Sequence, residues 1–149
     1  MSKEEKINLK LIGKNQDDLK VISAYLQDSI VTIKDMVFLK QNRSFIMMVN
    51  RFMWEDAERG IFRNNKRVRC AVKFDWIQKA VSKNINQKNK NRALELLTIK
   101  SILRSDNIYE IRFIFSGNSI ISIYAEEIDI LLDDQGEPWT VTSAPQHKL

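Results

Sequence analysis

The run Arg67-Val68-Arg69-Cys70-Ala71-Val72-Lys73-Phe74 alternates strictly between two kinds of side chain. Val68, Cys70, Val72 and Phe74 fall on one side of an extended chain, and Arg67, Arg69 and Lys73 on the other. Successive side chains of a strand point to opposite faces, so this spacing specifies a strand with one dry face and one wet, basic face. Related apolar runs recur along the chain as "INLKLIG", "IVTIKDMVFLK", "FIMMVNRFMW", "ALELLTIKSIL", "YEIRFIF" and "IISIYA", with "EEIDILLDD", a last strand or short helix closed by "QGEP". The turn signals "QNRS", "RSDN" and "SGNS" separate neighbours by a few residues, which makes most pairs antiparallel hairpins. A bend is expected at Lys34-Asp35.

One stretch has the other period. Leu19, Ile22 and Leu26 fall at i, i+3 and i+7, with Ser23 at i+4, the apolar stripe of an amphipathic helix. Asn15 three residues before Asp18 has the spacing of a reciprocal cap, and Asp17 and Asp18 suit the positive end of the helix dipole. "DWIQKAVSKNI" fits both periods and reads as strand, with Trp76 extending the alternation of the preceding run. The pattern contains no βαβ alternation, which argues against a doubly wound sheet. The expected fold is α+β: a mostly antiparallel, strongly curved sheet or partly closed barrel of about seven or eight strands, with one N-terminal amphipathic helix against one end.

At 149 residues with 44% hydrophobic and 29% charged side chains, the chain suits one globular domain spanning 1–149. Its core is expected over about residues 7–140, with 1–5 and 143–149 flexible. No apolar run approaches the roughly 20 residues needed to span a bilayer. "MSKEEKINLK" lacks the apolar region of a secretory signal. The single cysteine, Cys70, can form no intramolecular disulfide. Together these point to a cytoplasmic protein without membrane association.

Several chemistries lack their residues. One histidine, His147, and one cysteine cannot make a His/Cys zinc site within one chain, and neither offers a nucleophile with a positioned base. Glu127, Asp129 and Asp133 would share a face only on a strand, where a solvated acidic edge is the commoner outcome. Four isolated glycines make no phosphate-binding loop. No cofactor or metal is expected, and the balance is against catalysis. Cys70, on the apolar face of its strand, reads as an inert core thiol.

Charge is the positive lead. Between Arg59 and Arg92 eleven basic residues face one acid, a local +10 within an overall +5. From Phe113 to His147 there are six acids and no lysine or arginine. Such polarity suits either an anionic partner or mutual attraction between copies of the chain. Three readings follow. The first is a protein-interaction module, with self-association as a homodimer among its forms. The second is nucleic-acid binding, RNA in particular, through a basic patch of Arg63, Lys66, Arg67, Arg69, Lys73, Lys79 and Lys83. The third is a small-ligand or enzymatic site at Asn50, Arg51, Trp54 and Glu55, where an apolar strand ends abruptly in polar residues.

The segments "LKLI", "DLKVISAYLQDSIV", "NRFMWED" and "YAEEIDILLDDQGEPW" occur in an order that resembles an alphaproteobacterial family of unknown function, domain of unknown function 2948, over about Asn8 to Gln146. The most distinctive stretches are "SAYLQDS" and "NRFMWE". The resemblance implies a one-domain bacterial cytoplasmic protein and carries over no catalytic residue.

Alternation also assigns faces around "NRFMWED". Ile46, Met48, Asn50, Phe52 and Trp54 share one face, and Phe45, Met47, Val49, Arg51 and Met53 the other. Asn50 is expected to tie down a neighbouring backbone segment such as a turn. Arg51 is expected to reach an acid, from Asp56 or from the acidic C-terminal strand.

Overall fold

The computed structural model describes residues 8–55, 65–142 and 145. Its helix, α1 (Gln16–Leu26), buries Leu19, Ile22, Ser23 and Leu26, the face assigned by spacing. Asn15 Oδ1 accepts the Asp18 amide at 2.8 Å, while Asp18 Oδ2 accepts the Lys14 amide at 2.8 Å. The reciprocal cap therefore forms, satisfying two amides that the first helical turn leaves without partners.

Among the described residues there are ten strands: β1 (Lys10–Gly13), β2 (Ile30–Thr32), β3 (Met36–Leu39), β4 (Ser44–Phe52), β5 (Lys66–Phe74), β6 (Ile77–Lys83), β7 (Ala93–Leu103), β8 (Tyr109–Phe115), β9 (Ile120–Ala125) and β10 (Ile130–Thr140). They form one antiparallel sheet in the order β1-β10-β5-β4-β2-β7-β8-β9-β6, with β3 also beside β4. The fold is thus α+β as expected, but the sheet is not closed into a barrel and has more than seven or eight strands. The extra strands come from breaks within single apolar runs. A 3₁₀ turn at Ile33–Asp35 splits "IVTIKDMVFLK" into β2 and β3, at the anticipated bend.

Trp76 is a second break, and it corrects the reading that it extends β5. Its φ is 63°, a left-handed backbone that is a genuine outlier for a bulky side chain. The corner is held by hydrogen bonds from the Asp75 amide to Asp129 O and from the Glu126 amide to Trp76 O, each 3.0 Å. "IQKAVSK" is a strand, but on the opposite half of the sheet from β5. β10 likewise departs from expectation. It starts only at Ile130 and continues through "QGEP" to Thr140, with a register shift between Gln135 and Trp139. Of Glu127, Asp129 and Asp133, only Asp133 lies on the strand.

β2 is the hinge of the sheet: Ile30 pairs with Asn50 of β4 on one side and Glu95 of β7 on the other. The two halves fold face to face about it. Phe113 of β8 meets Phe45 of β4 and Phe74 of β5, with ring centroids 5.6 and 5.2 Å apart. One buried cluster joins both halves and the helix, including Leu19, Met47, Val72, Leu96 and Ile123.

The helix fills the gap between β1 and the part of β7 that β2 does not cover. Ser23 Oγ accepts the Ile99 amide at 2.9 Å, and Gln16 Nε2 donates to Ser101 Oγ at 3.0 Å. On the other side, a Cβ on Gly13 of β1 would lie 2.8 Å from Ile22 Cδ1, so helix and strand approach closely enough there that a larger residue would require the Ile22 side chain to shift. Ser23→Ala removes the acceptor of a buried amide. It is expected to destabilise the protein by about 1–3 kcal/mol, read as a lower urea midpoint at unchanged slope. A change below about 0.5 kcal/mol, the range of ordinary surface substitutions, would contradict this role for the helix.

Candidate functional site

Arg51 lies on the core side of β4, in line with Phe45, Met47 and Val49, and its side chain is 0% exposed. An arginine can be buried there because all five of its N–H groups have acceptors. Nε and Nη2 donate to the two oxygens of Asp134 at 2.8 and 2.7 Å. Nη1 and Nη2 donate to the two oxygens of Glu55 at 2.9 and 2.7 Å, and Nη1 also reaches Phe52 O at 3.5 Å. Asp134 in turn accepts the Leu9 amide at 3.0 Å and returns its own amide to Leu9 O at 2.9 Å. The Tyr25 ring stands 5.9 Å from the guanidinium. One cation thereby ties β4 to β10, to the entry of β1, to the helix and to the chain leaving β4. Burial acts to lower the Arg51 pKa, but the bonds to Asp134 and Glu55 outweigh it and raise it further.

The acid expected from the C-terminal strand is therefore Asp134, with Glu55 as the second; Asp56 lies outside the described residues. Asn50 faces the other way and ties down no turn. Its Oδ1 accepts Arg69 Nη1 at 3.2 Å, because the β4–β5 register sets the two residues opposite each other. Trp54 donates from Nε1 to Gln27 O at 2.8 Å. Of the four residues proposed from "NRFMWED", the structure brings Arg51 and Glu55 together. Cys70 is buried, and its thiol pKa is raised by that burial and then by nearby Asp134, so it stays protonated.

The basic residues are spread over two halves of the sheet. On β5, Arg67 donates to Asp28 O at 3.1 Å and Asn50 O at 2.9 Å and lies 5.8 Å from the Phe52 ring, and burial lowers its pKa. Arg69 pairs with Asp35 at 3.3 Å and Lys73 with Asp75 at 3.6 Å, while Lys66 is half-buried. On β6, Lys79 lies over the Tyr124 ring at 4.5 Å and Lys83 is exposed. Arg63 and His147 lie outside the described residues.

Elsewhere, an open acidic cleft of about 470 Å³ holds Glu126, Glu127 and Asp129. Arg43 and Gln78 bond Glu126, and Lys14 bonds Asp129 at 2.7 Å, lowering both carboxylate pKa values. A shallow hollow between helix and β7 is bounded by Lys20, Ser23 and Thr98. A further concavity has a different origin: the sheet's open seam. Among the described residues β3 pairs only with β4 and β6 only with β9, so each presents an edge. Between them lies a groove of about 250 Å³. Its floor and walls include Ile33, Phe45 and Ile121, with Met36 and Phe38 from β3 and Ala80 from β6. Val37 and Val81 stand exposed on the two lips. The seam is shut at one end by the Ile77 amide bonding Arg43 O at 2.8 Å. At the other end the Ile33 and Lys34 amides bond Arg92 O and Lys90 O at 3.0 and 2.9 Å. Periodicity missed this groove, though "MVFL" carries a signal: it is apolar on both faces, which is unusual for a strand at an edge.

A family model described as "Protein of unknown function (DUF2948)" matches residues 9–147. The chain belongs to that family. No curated protein and no solved structure is significantly similar to it. Among the described residues of this DUF2948 chain, no helix is long and apolar enough to cross a membrane, and no group of three potential metal ligands occurs.

Two predictions concern the charges. Arg51→Ala strands two inward-facing carboxylates and is expected to cost about 3–5 kcal/mol. Arg51→Lys should recover little, since one ammonium cannot meet two carboxylates bidentately. Chemical denaturation of both variants measures this. Second, Glu110 has its pKa lowered chiefly by its bond from Arg112. A carboxylate whose folded pKa is depressed stabilises the fold above its unfolded pKa, and that contribution is lost as pH falls through the folded value. Stability should therefore decline from about pH 4.3 downward, with a shallower decline in Glu110→Gln. Urea titrations between about pH 6 and pH 3 report both.

Proposed function

We propose that this DUF2948 protein is a protein-interaction module, and that it works by receiving an extended segment of a partner in the seam between β3 and β6. The observation that carries this reading is two unpaired strand edges facing each other across an apolar floor. An exposed edge offers a row of amides and carbonyls that another strand can satisfy, and the pockets beside it select alternate side chains. At about 250 Å³ the groove is below the roughly 300 Å³ at which pockets for drug-sized ligands begin. It suits one or two side chains of a longer segment better than a whole metabolite. The polar members of its lining are Ser82, Gln87 and Lys90.

The Arg51 cluster is the alternative focus of chemistry, and its geometry favours a structural role. Every guanidinium N–H already has an acceptor within the chain, which leaves no donor for a substrate. None of the three concavities described is lined by residues 50–55.

Selection from a random peptide display library tests the seam. The expected result is an enriched set of extended sequences with apolar residues at alternate positions, whose binding slows hydrogen exchange in residues 36–39 and 77–83. Binders whose protection maps to other segments, or no enrichment at all, would overturn the reading.

A further inference from the structure

The ends of the seam differ in charge, and the difference points to the chemistry of what enters it. Among the described residues the groove lining contains no carboxylate. At the end formed by the 3₁₀ turn and the loop after β6 stand Lys34, Lys83, Lys88 and Lys90. All four are exposed, and none makes an ion pair among the described residues. At the other end, by the β3–β4 turn, Lys40 is likewise unpaired, but Arg43 is taken by Glu126. These lysines contrast with Arg51, Arg69 and Lys73, each of which has its acid inside the fold.

On the basis of the seam reading above, we infer that the segment received is an extended peptide with an acidic cluster at one end. Its apolar side chains enter between Phe38 and Ala80, and its carboxylates meet Lys34, Lys83, Lys88 and Lys90. Beyond Ile77, whose amide is bonded to Arg43 O, β6 continues over residues 78–83, so the seam accommodates a segment of about 20 Å at the usual rise of a strand. Two unpaired edges favour a peptide backbone over a polyanion such as RNA, which has no way to satisfy rows of amides and carbonyls over an apolar floor. Unpaired lysines at one end then fix the direction of the inserted strand and raise its rate of encounter.

Fluorescence anisotropy with three labelled octapeptides tests this. All share five residues of alternating isoleucine, threonine and valine, followed by three glutamates, three glutamines or three lysines. The acidic peptide should bind about tenfold more tightly than the glutamine peptide at low ionic strength, since several weak surface pairs add up. The advantage should shrink between about 50 and 300 mM salt, as screening requires. In Lys83→Glu/Lys90→Glu, which leaves two positive and two negative side chains at that end, the preference for the acidic peptide should be lost. Melting temperature checks that this variant is folded. Equal affinity for the three peptides would overturn the acidic partner and leave the seam reading standing. Loss of binding by all three, with no change of hydrogen exchange in residues 36–39 and 77–83, would overturn both. Displacement of the acidic peptide by a short single-stranded RNA at lower concentration would also overturn it, in favour of a polyanion site.

Discussion

The guanidinium of Arg51 is the interaction on which the first half of the sheet depends. It is fully buried, and two carboxylates grip it bidentately. A buried cation is tolerated only where its charge and every donor are answered, so the cluster is either complete or strongly destabilising. Completion needs β10 beside β5 in the correct register, β1 on the outer side of β10, and the chain leaving β4 turned back over its own end. Three segments distant in sequence must therefore arrive together. The physical value of such a cluster over an apolar one is specificity of arrangement, because a shift of β10 by one residue would carry Asp134 to the other face and strand the arginine.

That anchoring has a counterpart at the opposite edge. The helix covers the gap between β1 and β7, so one side of the curved sheet is sealed by side-chain bonds rather than by a strand. Among the described residues the gap between β3 and β6 has no such cover. A sheet can manage an edge with charge, with shortness or with a covering element. β3 is short and Lys79 and Lys83 punctuate β6, yet Val37 and Val81 leave apolar surface at both lips. The same molecule thus answers its charges internally near Arg51 and, among the described residues, leaves lysines without ion pairs around the seam, which is why a binding function is proposed there.

Local features were legible in the sequence because their causes are local. The spacing of Leu19, Ile22 and Leu26 dictates the buried stripe of the helix, and Asn15 and Asp18 dictate its cap. Alternation assigned Val68, Cys70, Val72 and Phe74 to the core, and it set Arg51 opposite Asn50. It also named the acidic C-terminal strand as a source for Arg51's partner. What alternation lacks is any record of where a strand ends within an apolar run. The left-handed backbone at Trp76 is stabilised by Asp129 and Glu126, some fifty residues away, so nothing adjacent to Trp76 announces the corner. The partner of Asn50 depends on the β4–β5 register, and the seam on the arrangement of strands thirty or more residues apart. The eleven basic residues are contiguous in sequence, and the Trp76 corner sends those on β5 and those on β6 to different halves of the sheet.

The central claim is that β3 and β6 present open edges across the seam, and residue-resolved amide hydrogen exchange of the free protein measures it most directly. In an antiparallel edge strand, alternate amides point toward the neighbour and away from it. The account predicts a two-residue alternation along Met36–Leu39 and residues 78–83, with amides paired to β4 and β9 protected, as is the Ile77 amide bonded to Arg43 O, and those facing the seam exchanging at rates close to those of an unstructured chain. Uniform protection along both strands would mean that the seam is closed in solution, and would contradict it.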